Sequence, residues 1–214
     1  MDKTEGGMNF QLQFSPVIPL PSESLREINA WRKIFYLTQL IGQDPNRYGG
    51  FCYGNISQRL LSYDSSGQQI SFIISGTKTG DMPDLNENHY ATVTACHTGQ
   101  NLIVAEGPIH PSSESLTHGI LYSLDHTLQS VIHAYSSDIW CHADRLGIPF
   151  TESSAEYGTP GMANEIWRLF SETPVRNQGI FVMGGLEDGV VSFGKTIEEA
   201  SMILLHYLAL SFYA

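Results

Sequence analysis

The sequence predicts an α/β protein with three layers, α/β/α, around a central and mostly antiparallel sheet. Three observations predict it. Short runs rich in β-branched and aromatic residues follow one another through turn-like connections, the pattern of adjacent antiparallel strands. Stretches with apolar residues at helical spacing, opened by caps and closed by glycine or proline, lie before, between and after those runs. The 214 residues contain no low-complexity linker, so one compact unit can bury most of its apolar surface. The division expected is an extended lead-in over residues 1–21 and a single domain over 22–214.

In order, the lead-in is kept out of a helix by Gly6-Gly7 and by prolines 16, 19 and 21. Phe10, Leu12 and Phe14 alternate in it, which suits a short edge strand or an arm packed on a neighbouring subunit. Ser24 and Glu27 have capping-box spacing, and Leu25, Ile28, Trp31 and Phe35 continue a helical stripe that Gly42 and Pro45 stop. Glycines 49, 50 and 54 make a loop where backbone can approach a ligand. Ile56–Tyr63 and Ile70–Ile74 read as a hairpin turning at Gly67, and Tyr90–Ala95 and Leu102–Ala105 as two further strands. A helix over about 113–123, a strand over about 130–134 and a short helix capped by Ser136 or Ser137 follow. Thr159-Pro160 opens a helix running to about Phe170, with proline at its favoured first position. Ile180–Met183 and Val190–Phe193 are strands, and Thr196 caps a last apolar helix reaching about Leu210.

Composition removes several function classes. Eleven basic residues against 22 acidic ones give a net charge of −11, which offers no basic field for nucleic acid or for an anionic membrane. It leaves room for one small phosphate held by backbone amides and hydroxyls. No apolar run is long enough to span a bilayer, and the first fourteen residues lack a signal-peptide core. Cys52, Cys96 and Cys141 are odd in number and widely spaced, as expected of a reduced, cytoplasmic chain.

The chemistry concentrates in Gly107–Tyr135, GPIHPSSESLTHGILYSLDHTLQSVIHAY. A Pro-Ser-Ser turn leads into a helix with Glu114 in its first turn and His118 one turn later, and the strand that follows ends past His133. Read from the residues alone, Glu114 is a solvated first-turn acid complementing the helix dipole. The serines are turn and cap residues, and His133 is a satisfied core histidine. Lys78, in Gly76-Thr77-Lys78-Thr79-Gly80, is either an ordinary loop charge or one that steers an anion.

This stretch also resembles the class II aldolase/adducin head-domain family. The resemblance runs over roughly 25–210 and rests on six matches in order: RYG…GNIS-x-R, ISGTKTG, PSSE-x-x-x-H, the strand ending in His133, YGT-x-x-M-A, and DGVVSFG-x-T-x-E-E-A. It implies a divalent metal, usually zinc, held by three histidines, an acid/base carboxylate, and a small phosphorylated or otherwise anionic carbonyl ligand. Aldol cleavage, epimerisation or dehydration would pass through an enediolate. By position, Glu114 is the acid/base. Asn55, Ser75, Gly76, Ser112 and Ser113 hold the phosphate, His133 is the first metal ligand, and His118 is a packed histidine outside the metal site. The sequence departs from the family at the metal: Tyr135 stands where the second histidine belongs. The third falls on Leu186 or on Asp188, depending on how the last turn is aligned. His110, His126 and His142 lie nearby without a matching pattern. The resemblance further implies a homotetramer with its pockets at subunit interfaces. Two functions stay open: a divergent aldehyde-lyase or epimerase, and a binding or assembly module that has lost the metal.

Overall fold

A computed structural model of the chain describes residues 8–60 and 70–214. Its strands are β1 (Gln11–Pro16), β2 (Gly42–Gln43), β3 (Cys52–Tyr53), β4 (Asn55–Arg59), β5 (Phe72–Ser75), β6 (Tyr90–His97), β7 (Leu102–Gly107), β8 (Ser130–Tyr135), β9 (Ile180–Val182) and β10 (Gly189–Gly194). Its α-helices are α1 (Arg26–Leu37), α2 (Ser115–Leu124), α3 (Ser137–His142), α4 (Pro160–Glu172), α5 (Val175–Gln178) and α6 (Ile197–Ser211). Eight strands form one sheet in the order β1-β7-β6-β5-β4-β8-β10-β9. The named strands pair antiparallel except at β1–β7, which is parallel. The three-layer, mostly antiparallel expectation is met.

Strand alternation explains the layers. Odd residues of β8, such as Val131 and Tyr135, share a core with Phe72, Ile74 and Val191 and with Leu116, Ile120, Met162 and Ile166 of α2 and α4. The even residues Ile132 and Ala134 share the opposite core with Ile56, Ile73 and Val190 and with Ile28, Phe35, Ile139 and Leu204 of α1, α3 and α6.

The caps read from sequence hold at three helices. Ser136, Thr159 and Thr196 accept from the backbone N–H of Ile139, Met162 and Glu199 at 3.2, 3.4 and 3.0 Å. The first helix differs. Ser22–Leu25 form a 3₁₀ turn, and Ser24 Oγ donates back to the Pro21 carbonyl at 2.6 Å instead of capping, so α1 begins at Arg26. The hydroxyl prefers its own turn to the helix, a known competition for serine. The lead-in contributes the edge strand β1 that its alternation suits. Three other expectations shift. α2 starts at Ser115, which leaves Glu114 at the N-cap position. α3 stops at His142 where the sequence suggests a helix through Leu146, and α5 was not expected. The hairpin turn at Gly67 lies outside the described residues.

Candidate functional site

β4 and β8 are antiparallel neighbours, and their register sets Asn55 opposite His133. Gly54, just before β4, has φ +76°, and a side chain there would strike Ile41 at 2.8 Å. Across the sheet end, Gly76 bridges to Pro111, which ties the end of β5 to the turn that starts α2. Residues far apart in sequence therefore meet at one end of the sheet. They line a cleft of about 630 Å³, counted out to its open mouth.

Asn55, Gly76, Ser112, Ser113, Glu114, His133 and Tyr135 all line this cleft. Ser75 does not: it is buried behind it, and its Oγ accepts the Ile56 N–H at 3.2 Å. Several groups expected to hold a phosphate are already engaged. The Gly76 N–H donates to the His89 carbonyl at 2.8 Å. The Asn55 amide nitrogen lies 3.4 Å from His133 Nδ1. Ser112 Oγ accepts the Glu114 N–H at 3.3 Å, with its own hydroxyl proton left to donate. Lys78, exposed at φ +58°, also lines the cleft and brings it a positive charge.

Glu114 is not the solvated acid that its position suggests. It is 3% exposed and gives the helix no side-chain cap, and its Oε2 has no hydrogen-bond partner among the described residues. Burial pushes its carboxyl up to about 7. His118 is fully buried with Nδ1 2.7 Å from Ser57 Oγ, the packed histidine expected. Ser57 Oγ also meets the Tyr122 hydroxyl at 2.8 Å. Burial holds His118 well below the usual imidazole range and His133 down to about 3, so both rings are neutral.

The side chains at the metal positions do not fit a three-imidazole ion site. Tyr135 packs its ring against His133, Tyr48 and Tyr53, with centroids 5.1, 4.8 and 5.2 Å away. Leu186 lies in the apolar core. Asp188 is buried, and its Oδ2 accepts from both Arg47 and the Tyr48 hydroxyl. Burial first, and then this acceptor, raise the Tyr48 phenol far above its ordinary value. His110, His126 and His142 do not line the cleft. Among the described residues, no group of three His, Cys, Asp or Glu is placed to hold a metal ion. Three protein ligands are the usual minimum at a catalytic zinc.

Sequence reasoning missed the aromatic wall of Phe51, Tyr53 and Tyr157, and it missed the clamp behind the cleft. Arg32 of α1, 2% exposed, donates to the carbonyls of Thr79 and Gly80 at 2.8 and 3.0 Å and also to that of Met82. Thr79 and Gly80 line the cleft, so one guanidinium sets the course of its Lys78 loop. The RYG…GNIS, ISGTKTG and YGT-x-x-M-A matches were the signals near these residues, the last beginning at Tyr157 itself.

No family model matches the sequence, and no curated protein matches it significantly. Solved structures do. An L-fuculose 1-phosphate aldolase superposes with a TM-score of 0.62 at 17% identity, covering 90% of this chain and 84% of that one. A sugar-phosphate aldolase from Thermotoga maritima gives 0.58 at 17%, over 88% and 96%. The N-terminal class II aldolase domain of a Thermoplasma acidophilum protein gives 0.57 at 14%, over 88% and 92%. At such identities the likeness is one of fold.

Proposed function

Because the chain is built on the class II aldolase fold, we propose that it is an enzyme of aldolase or epimerase type. Its ligand is a small carbonyl compound carrying a phosphate or carboxylate. The observation that supports this most is Glu114, a buried carboxyl in the same cleft as the Ser112 and Ser113 hydroxyls and Lys78. An acid held near neutrality can both take and return a proton. The hydroxyls and the ammonium suit an anionic group, and the aromatic wall suits the body of the ligand. The proteins it superposes on include two named for sugar-phosphate substrates, which makes a sugar phosphate the first class to test.

The zinc of the resemblance has too few ligands here, so no step is assigned to it. That same shortage favours the second reading, a binding or assembly module of the adducin kind. A homotetramer would cover the exposed apolar side chains Trp167, Met202, Phe212 and Tyr213, which are 62, 53, 69 and 75% exposed. The three cysteines are free thiols, which suits the cytoplasm. Among the described residues no helix is long and apolar enough to cross a membrane.

The test is proton exchange. The full chain is incubated in D₂O with a panel of small phosphorylated and carboxylated ketones and aldehydes, and loss of the α-proton is followed by NMR. Exchange that disappears in Glu114→Gln supports the enzyme. Ligands that bind by calorimetry yet never exchange support the module.

A further inference from the structure

The register of β4 on β8 has a chemical consequence. Asn55 Nδ2 faces His133 Nδ1 at 3.4 Å. With the Asn55 amide nitrogen towards the ring, and able only to donate, Nδ1 is the acceptor and the ring proton belongs on Nε2; the reversed amide would put that proton on Nδ1. An Nε2 that carries a proton has no lone pair for a metal. His133 is 2% exposed and lines the cleft, and its Nε2 has no partner among the described residues. Glu114 lines the same cleft with an unpartnered buried Oε2. The His133 Nε2 donor and two acceptors, Glu114 Oε2 and Asn55 Oδ1, thus stand buried and unmatched among the described residues at the same cavity, a costly arrangement unless a ligand completes it.

We propose that His133 serves this cleft as a hydrogen-bond donor to the ligand's carbonyl oxygen, in place of a metal ligand, and that Glu114 takes the adjacent proton in a metal-independent enolisation. The inference rests on the enzyme reading above. The Glu114 carboxylate removes the α C–H proton, and that bond's electron pair becomes the new C=C bond. The carbonyl π pair moves onto oxygen, where the Nε2–H stabilises the developing charge. Returning a proton to the same carbon, as the oxygen's charge collapses back to the carbonyl, exchanges it when delivered to the same face and epimerises it when delivered to the opposite one. No electrons leave the ligand, and no further reactant is needed. A neutral imidazole donor paired with a carboxylate base is sound chemistry for this step.

Two measurements test it. Long-range ¹H–¹⁵N spectra of the full ¹⁵N-labelled chain near pH 7.5 report the tautomer directly. A protonated Nε2 is expected, unmoved by one equivalent of zinc. Asn55→Asp, which places an acceptor at Nδ1, is expected to shift the proton to that atom. A bare Nε2 in the unaltered chain, or a zinc-induced shift of His133, overturns the proposal.

In parallel, D₂O exchange of dihydroxyacetone phosphate, the simplest phosphorylated α-hydroxy ketone, is followed after exhaustive chelation. Exchange is expected to persist. It should fall at least about a hundredfold in His133→Ala and less in His133→Gln, whose amide still donates. Exchange that appears only with added divalent metal overturns the proposal. Absence of exchange with and without metal overturns the enzyme reading and the enolisation with it, and the tautomer then decides only whether His133 is a hydrogen-bond donor in place of a metal ligand.

Discussion

Arg32 Nη2 donates to the Thr79 carbonyl oxygen at 2.8 Å, joining the first helix to the loop that closes the cleft 47 residues later. The same side chain also holds the Gly80 and Met82 carbonyls. Arg32→Met takes the guanidinium donor from three carbonyls, of which Thr79 keeps the Met82 N–H at 3.3 Å, at a cost of roughly 2–3 kcal/mol. Arg32→Lys recovers only part, because a point ammonium cannot reproduce the planar fork. Urea denaturation should rank the three proteins in that order. The amide resonances of Thr77–Gly80 should move in both variants.

Stability should depend on pH through Glu114 with a definite sign. Its folded-state value is raised from 4.5 to about 7 by burial, so the folded chain holds the proton more tightly than the unfolded chain. The contribution is fully present below pH 4.5 and is lost as pH rises to about 7. It is on the order of 3 kcal/mol. Glu114→Gln removes the dependence and should be the more stable protein above pH 7. Chemical denaturation of both at pH 5, 6, 7 and 8 would measure the widening gap.

His133 acts in the opposite sense. Burial depresses it from 6.5 to about 3. Its contribution is therefore complete above pH 6.5 and is lost as pH falls towards 3. His118, also depressed by burial, adds to this acid sensitivity. His133→Gln should flatten the acid limb of the same denaturation series.

Breaking the Arg47–Asp188 pair should be a milder event than losing Arg32. Arg47 is 42% exposed while Asp188 is buried at 3%, so solvent screens one partner only. Tyr48 still donates to the carboxylate after Arg47→Ala. A loss of about 1–2 kcal/mol is expected by thermal unfolding, against a larger one for Tyr48→Phe combined with Arg47→Ala.

Tyr135→His should not by itself give a stoichiometric zinc protein. It supplies a second imidazole, but Leu186 belongs to the core and Asp188 to Arg47 and Tyr48, so the set stays one short of three. Zinc analysis after equilibrium dialysis would check this.

The parts of the site legible in the sequence were those encoded locally. Ser112, Ser113 and Glu114 announce a turn entering a helix, and the short apolar run Val131-Ile132 announces a buried strand. The unforeseen parts depend on distant partners. Asn55 reads as a loop amide until β4 pairs with β8 and turns it onto His133. Arg32 carries no signal in the sequence, because its partners are backbone carbonyls without a side-chain signature. The position of Glu114 at the start of α2 suggests a solvated acid, and only the resemblance places it in a site; the fold buries it. Ser24 misled in the other direction: capping-box spacing was present, but its hydroxyl chose the Pro21 carbonyl.

The parallel strand β1 bears on the order in which the molecule assembles. Its register joins Gln11 to Leu102, a closure across most of the first half of the chain, whereas β6 and β7 meet through a tight local turn. Loop-closure entropy places the local hairpin first and the arm last. Until the arm docks, the outer edge of β7 is an open row of amides and carbonyls, able to pair with another chain. Gln11–Pro16 thus act late, as the latch that ends a window of aggregation during folding. In pulse-labelled hydrogen exchange, the amides of Leu12–Ser15 should gain protection after those of Val93 and Val104.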